Sequence, residues 1–157
     1  MYMGVDCSSK GVHAVLIDDG CRLISTFKIN VKKADFNERI TEIFDKFQSE
    51  ISKIKIRKSA IEKAIYIQNA KATIQIASVV TAIQLACHKQ SIPCYLVDNK
   101  TWKKDIIGKG NSSKQDIMEY AVDKWGDVFT EQDYADAACI ALHAQKESIE
   151  NGSTEGI

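Results

Sequence analysis

Four acidic residues lie where regular secondary structure would hold them in fixed positions. They are Asp6 at the end of the first predicted strand, Glu62 in a central predicted strand, and Asp133 and Asp136 near the C-terminus. Carboxylates gathered within a few ångströms of one another repel, so one of them must take up a proton or the group must share a cation. Ligand sets made only of oxygen favour hard ions such as Mg²⁺. If the four acids converge, the sequence predicts a magnesium site.

The first acid lies in an apolar strand. Side-chain alternation places Met3 and Val5 on one face of this strand and Gly4 and Asp6 on the other. An acid in such a strand is costly if it is buried without a partner. The alternative is that Asp6 caps the turn that follows the strand.

The remaining three acids also have simpler interpretations. Glu62 is a candidate for a sheet-edge residue paired with Lys63, although a central strand would then carry an exposed charge. Asp133 and Asp136 are three residues apart at a helix start, so both point to one face. Asp133 also occupies the capping-box position after Thr130, which by itself explains that residue. Asp136 is different, because it borders a buried apolar helix face.

The elements that position these acids follow from the hydrophobic periodicity. Turn residues separate three short strands, which indicates an antiparallel meander. The order β-β-β-α-β-α-β-α-α predicts an α/β fold with a mixed sheet and helices on both faces. The predicted strands are 2–7, 12–17, 22–29, 59–67 and 93–97. The predicted helices are 35–52, 71–90, one that begins at 113 and one from 130 to about 146. Residues 98–111 are predicted to form a polar loop.

Length and composition indicate one domain, residues 1–147, with a flexible polar tail at 148–157. The 21 basic and 21 acidic residues cancel, so binding of a polyanion would depend on local clusters. The five cysteines are scattered, odd in number and without a Cys-x-x-Cys pair, which favours free thiols in a reducing cytoplasm over disulfides. A zinc site at Cys87, His88 and Cys94 is disfavoured. We expect neither a signal peptide nor a membrane span.

Two groups of basic residues are candidates for phosphate contacts, with solvated surface charge as the alternative. The first group is Lys53, Lys55, Arg57 and Lys58, and the second is Lys100, Lys103, Lys104, Lys109 and Lys114.

The helix at 71–90 is apolar on nearly every side, which indicates burial on more than one side. Either a second subunit covers it in a homodimer, or the sheet and neighbouring helices do.

Taken together, these motifs resemble the RuvC family of Holliday-junction resolvases, within the RNase H-like superfamily. The similarity covers residues 3 to about 145. The segments that carry it are Gly4-Val5-Asp6, Ala60-Ile61-Glu62, Gln68-Asn69-Ala70, Ile106-Ile107-Gly108-Lys109-Gly110 and Asp133-Tyr134-Ala135-Asp136-Ala137-Ala138.

The resemblance implies an RNase H-like five-stranded sheet, three antiparallel strands and then two parallel ones, with helices on both faces. It implies a dimeric nuclease that nicks four-way DNA junctions symmetrically, leaving 5′-phosphate and 3′-hydroxyl ends. Two Mg²⁺ ions per site are implied, with Mn²⁺ able to substitute. The short chain is similar to compact resolvases of bacteriophages and low-GC bacteria, so a host cytoplasm is the expected location. The implied catalytic metal ligands are Asp6, Glu62, Asp133 and Asp136, and Lys103 and Lys114 are implied to approach the cleaved strand.

Two positions depart from the family pattern. Cys7-Ser8 replace the usual Pro-Gly after the first acid, and Ile65 replaces an aromatic residue that contacts the junction. Tyr66 is the neighbouring candidate for that DNA contact. These departures leave open junction opening and base preference at the cut. Because a metal site alone does not select the substrate, flaps, forks, three-way junctions and RNA–DNA hybrids also stay open as substrates. Two further functions also stay open, an actin-like or sugar-kinase ATPase and a catalytically silent DNA-binding protein.

Overall fold

The structure is a computed structural model that describes residues 1–65 and 68–152. Tyr66 and residues 153–157 therefore lie outside the described residues. The strands are β1 (Tyr2–Ser8), β2 (Gly11–Ile17), β3 (Leu23–Asn30), β4 (Lys58–Glu62) and β5 (Cys94–Val97), and the helices are α1 (Phe36–Ile51), α2 (Ala70–Lys89), α3 (Asn99–Ile106), α4 (Lys114–Trp125) and α5 (Gln132–Gly152).

The five strands form one mixed sheet in the order β3-β2-β1-β4-β5. β1 pairs antiparallel with β2, and β2 with β3, whereas β4 runs parallel to both β1 and β5. Helices cover both faces, so the predicted α/β architecture is confirmed. β1 occupies the centre of the sheet, and its C-terminal end is therefore flanked by residues from β2 and β4.

The two faces of the sheet form separate cores because the side chains of β1 alternate. Met3 and Val5 pack with residues of α1 and α2 in one core. Tyr2 packs in the other core, where α5 supplies a run of small residues. Gly4 lies on this second face, and a Cβ there would collide with the backbone of α5 at the carbonyl of Ala137 and the amide of Ala141. Glycine at this position therefore lets α5 lie directly on β1.

The predicted loop at 98–111 is wrong in its first half, which folds as α3. The glycines Gly108 and Gly110 favour a loop in sequence, but the structure places the helix before them. Trp102 is fully buried on the inner side of α3, and burial of this large side chain compensates for the weak stability of an eight-residue helix. The chain therefore has one helix more than the sequence predicts.

Three more boundaries differ from the sequence prediction. β4 ends at Glu62, where its pairing with Val97 of β5 is the last in the register, so the strand does not continue into residues 63–65. The last two residues of the predicted strand, 66 and 67, lie outside the described residues. α5 begins at Gln132, which places Asp133 in its first turn, and it continues to Gly152. Residues 148–152 of the predicted flexible tail are therefore helical. The capping box of Ser113 and Asp116 at the start of α4 is confirmed.

The helix α2 packs one side against the core through Val79 and Ile83. Its opposite side leaves Ile74 65% and Leu85 57% exposed in the single chain. By length and composition alone this helix is apolar enough to cross a membrane. That is a weak indication, because a helix that contributes to a protein core passes the same criterion, and α2 does contribute.

Candidate metal centre and active site

Three carboxylates from distant parts of the sequence meet at the end of β1. Asp6, Asp133 and Asp136 each offer an oxygen within 4.8 Å of the others, the only such group of possible ligands in the part of the chain that the structure describes. Asp6 comes from the centre of the sheet, and the other two come from the first turns of α5. The close approach of α5 to β1 at Gly4 brings them together, so the predicted convergence is correct for these three acids.

Burial and neighbouring charges raise the pKa values of two of these acids. Burial raises the pKa of Asp6 well above its usual range, and the nearby charges of Glu62, Asp136 and Asp133 raise it further. Burial raises the pKa of Asp136 to about 6, against a hydrogen bond from Gln132 that lowers it. Without a cation, the site therefore favours uptake of protons.

Glu62 lies outside this group of three, at the end of β4, yet its charge contributes to the raised pKa values of both Asp6 and Asp136. Its carboxylate accepts hydrogen bonds from Trp102 Nε1 at 2.6 Å and from Asn99 Nδ2 at 3.1 Å, both to Oε2. The alternative pairing of Glu62 with Lys63 is not what the structure shows, because Lys63 Nζ lies 3.9 Å from Asp98 Oδ1.

The two acids of α5 also have fixed neighbours. Gln132 Nε2 donates to Asp136 Oδ1 at 2.9 Å. His13 Nδ1 lies 3.5 Å from Asp133 Oδ2, and His13 Nε2 lies 3.0 Å from Glu131 Oε2. Asp133 remains 50% exposed, so it forms the open side of the group.

The donor set fits divalent cations that prefer oxygen. Three basic side chains among the described residues act on the acids: Lys103 lowers the pKa of Asp136, His13 lies beside Asp133, and Lys28, itself paired with Glu131, interacts with Asp133. Four carboxylates together with Glu131 carry more negative charge than these three groups balance. Burial makes that excess of charge unfavourable unless protons or metal ions compensate it. Mg²⁺ and Mn²⁺ take such ligands, whereas Zn²⁺ in structural sites favours thiolate and imidazole.

The predicted DNA-binding lysines divide between two sides of α3. Lys103 lies near enough to the acids to act on Asp136, and its ammonium lies over the Trp102 ring at 5.6 Å. Lys100 and Lys104 instead line a separate cavity, which also includes His143 and Glu147. A role of these lysines in DNA binding stays a prediction.

Two further candidates, Lys109 and Lys114, are exposed on the segment that leads into α4. Lys109 acts electrostatically on Asp116, the capping residue of that helix. Tyr66, the candidate for the junction contact, lies outside the described residues. Its neighbour Ile65 is exposed, at 54%.

Sequence reasoning missed four residues that contact the acids, namely His13, Asn99, Trp102 and Gln132. His13 was accessible in principle, because hairpin register places it directly opposite Asp6. Gln132 lies four residues before Asp136, which is the spacing of neighbours on a helix. Asn99 and Trp102 gave no such signal, because the segment that carries them was predicted to be a loop.

Comparison with known proteins agrees with this geometry. The family model described as "Crossover junction endodeoxyribonuclease RuvC" matches residues 2–144. RuvC of Brachyspira hyodysenteriae is 31% identical over 137 residues, which cover 87% of this chain and 82% of that protein. RuvC of Chloroherpeton thalassium is 29% identical over 126 residues, which cover 78% of this chain and 67% of that protein.

Solved structures show the same fold at low sequence identity. The structure titled "T. thermophilus RuvC in complex with Holliday junction substrate" matches with a TM-score of 0.80 and 16% identity, covering 98% of each chain. The yeast mitochondrial Holliday junction resolvase matches with a TM-score of 0.61 and 15% identity, covering 99% of this chain and 83% of that one. On the family match and the Brachyspira relative, the chain belongs to the RuvC family of crossover junction endodeoxyribonucleases.

Proposed function

We propose that the protein is a metal-dependent, structure-selective endodeoxyribonuclease that resolves four-way DNA junctions by paired symmetric nicks. The observation that carries this proposal is the meeting of Asp6, Asp133 and Asp136 at the end of β1, with Glu62 beside them, in a chain of the RuvC family. Products would carry 5′-phosphate and 3′-hydroxyl ends. The cytoplasm, which holds the DNA of a bacterial cell, is the proposed location.

The four acids would hold two Mg²⁺ ions, with Mn²⁺ able to replace them. Paired ions of this kind activate a water for attack and stabilise charge on the leaving oxygen. Asp6 would be a central member of this ligand set, because all three other acids act on it electrostatically. Glu62 would join it from β4 and Asp136 from α5. Lys103, which acts on Asp136, would contact a non-bridging oxygen of the scissile phosphate.

Lys103 gives a direct test of DNA binding. Lys103→Ala should reduce cleavage strongly, whereas Lys46→Ala, at an exposed position on α1 outside both basic groups, serves as the matched control. We expect junction affinity to fall with salt by about 0.9 log units per phosphate contact for each log unit of salt. Salt-insensitive junction binding, or equal losses in the two variants, would contradict this assignment.

A C₂ dimer would match the approximate two-fold symmetry of an open four-way junction and place one active site on each of two like strands. We propose the exposed side of α2 as the interface, because Ile74 and Leu85 are large apolar residues left in contact with water in the single chain. Ile74→Glu combined with Leu85→Glu should convert a dimer to a monomer in light scattering. A wild-type chain that is monomeric at micromolar concentration, with and without junction DNA, would exclude the interface.

Substrate choice needs its own experiment, because a metal site alone does not select the nucleic acid. Labelled four-way, three-way, flap, fork, RNA–DNA hybrid and linear substrates would be incubated with Mg²⁺ or Mn²⁺, and the cut positions mapped. Paired symmetric nicks confined to the four-way substrate would support resolution. Preferred cutting of flaps or hybrids would instead identify a related nuclease, and absence of metal-dependent cutting of any substrate would refute the proposal.

A further inference from the structure

The carboxylate of Glu62 is held by two donors on α3, and both bind the same oxygen. Trp102 Nε1 donates to Oε2 at 2.6 Å, and Asn99 Nδ2 donates to it at 3.1 Å. A carboxylate oxygen has two lone pairs, so these donors occupy Oε2. Among the described hydrogen bonds none uses Oε1. The two oxygens of Glu62 are therefore chemically unequal before any ligand binds.

The indole of Trp102 is a rigid donor. Its side chain is fully buried in the core beneath α5, and the Lys103 ammonium lies over its ring. Rotation of the indole would break the packing of this core, so the position of Nε1 is fixed by the fold. A short charge-assisted hydrogen bond from such a donor fixes the carboxylate plane in turn.

We propose that Trp102 is a positioning residue for the metal centre, and that Asn99 assists it. By holding Oε2, the indole N–H would fix the carboxylate of Glu62 and leave Oε1 for the metal ion that the acids would hold. This inference rests on the proposed function of the same site. Outer partners of metal ligands generally contribute about 10–100-fold in metal affinity or activity.

The alternative is that Trp102 only anchors α3 in the core. An isosteric replacement separates the two roles, because benzothienylalanine keeps the shape of the indole and replaces its N–H by sulfur. The chain has two tryptophans, so Trp125→Phe leaves Trp102 as the only one and lets the analogue be placed there alone. Trp125 also donates an indole hydrogen bond, to the carbonyl of Cys21, and makes a matched control away from the acids.

The first measurement is Mn²⁺ binding by calorimetry without DNA. In the Trp125→Phe background, the analogue at Trp102 should weaken Mn²⁺ binding by about 10–100-fold while the melting temperature changes little. Trp102→Phe should do the same with some loss of stability, and Trp125→Phe alone should bind Mn²⁺ as the wild type does. Unchanged Mn²⁺ affinity in the analogue-containing protein would refute the positioning role.

The second measurement uses the indole as a reporter. Fluorescence of the Trp125→Phe protein, which comes from Trp102, should change on Mn²⁺ addition and saturate at the calorimetric affinity, whereas fluorescence of Trp102→Phe should not. A Trp102 emission that ignores bound Mn²⁺ would count against the proposal. These outcomes differ from failure of the proposed function. A wild-type protein that binds no Mn²⁺ would refute the metal centre itself. Mn²⁺ binding that is equally tight with and without the indole N–H of Trp102 would refute only the role of Trp102.

Discussion

Removal of one charge from the acidic group should stabilise the metal-free protein. Burial raises the pKa of Asp136 to about 6 from its ordinary value of 3.8. The folded state therefore keeps a proton that the unfolded chain loses, so stability falls as the pH rises from about 4 to about 6 and then stays low. The difference between the two pKa values corresponds to about 3 kcal/mol at neutral pH. Asp136→Asn removes this cost, because the amide carries no charge.

The assay is thermal and chemical unfolding in the presence of a chelator across a series of pH values. At pH 7.5 the variant should be more stable than the wild type by up to about 3 kcal/mol, or roughly 6–12 °C in melting temperature for a chain of this size. At pH 3 the difference should disappear, since the carboxyl is then largely neutral in both states. Asp45→Asn, at an exposed position on α1, is the control and should change stability little at either pH.

Addition of Mg²⁺ should act in the opposite direction. An ion present at 100 times its dissociation constant stabilises the folded state by about 2.7 kcal/mol, and the wild type should gain more than Asp136→Asn because it keeps the ligand. The stability gap should therefore narrow or reverse as Mg²⁺ is added. A variant that is no more stable than the wild type in chelator at pH 7.5 would show that burial and the neighbouring acids do not destabilise the charged form of Asp136 as the geometry requires.

Three further outcomes are expected. Glu62→Gln should keep junction binding in a mobility-shift assay but abolish cutting, and cutting at the wild-type rate would show that Glu62 is no metal ligand. Gly4→Ala should destabilise the protein by several kcal/mol in urea unfolding, because its Cβ meets the backbone of α5 rather than a movable side chain; wild-type stability would refute that close contact. Burial lowers the pKa of His143 below its usual value of 6.5, so the unfolded chain gains this proton first and the contribution of His143 to stability falls as the pH drops below about 6.5, opposite in sign to that of Asp136. Between pH 7 and 5, His143→Gln should therefore lose less stability, or gain more, than the wild type does, and an unchanged pH profile would contradict this.

Much of the fold could be predicted from the sequence because its local signals and its tertiary contacts agree. The apolar meander, the amphipathic helix at 36–51 and the capping box at Ser113 all have strong local signatures, and the structure confirms them. Asp6 and Asp136 were predictable for a similar reason, whereas Asp133 alone indicated a helix cap and was assigned to the metal site only through the family resemblance. A charged residue at the edge of an apolar strand or helix face is a local anomaly that a shared cation explains.

The helix α3 was not predictable in the same way. Its eight residues include four with charged side chains, and the glycines that follow favour a loop. What makes it a helix is the burial of Trp102 beneath α5 and its hydrogen bond to Glu62, two contacts with residues far away along the chain. Local periodicity holds no information about such contacts. The same limit explains why the partners of Glu62 were missed although Glu62 itself was identified.

The hydrogen bonds around the acids indicate a site arranged for cations before they arrive. Asp136 accepts a hydrogen bond from Gln132 on Oδ1, and Glu62 accepts one from Trp102 on Oε2. Among the described hydrogen bonds, none uses the second oxygen of either carboxylate, which can therefore bind a metal ion. Neutral amide and indole donors orient these carboxylates without cancelling their charge, unlike the lysine that an ordinary ion pair would supply. The burial and the mutual repulsion that raise the pKa of Asp6 therefore persist in the metal-free fold. Relief of both adds to the affinity for a divalent ion, so the same close approach of the carboxylates that lowers the stability of the empty site should strengthen its binding of metal.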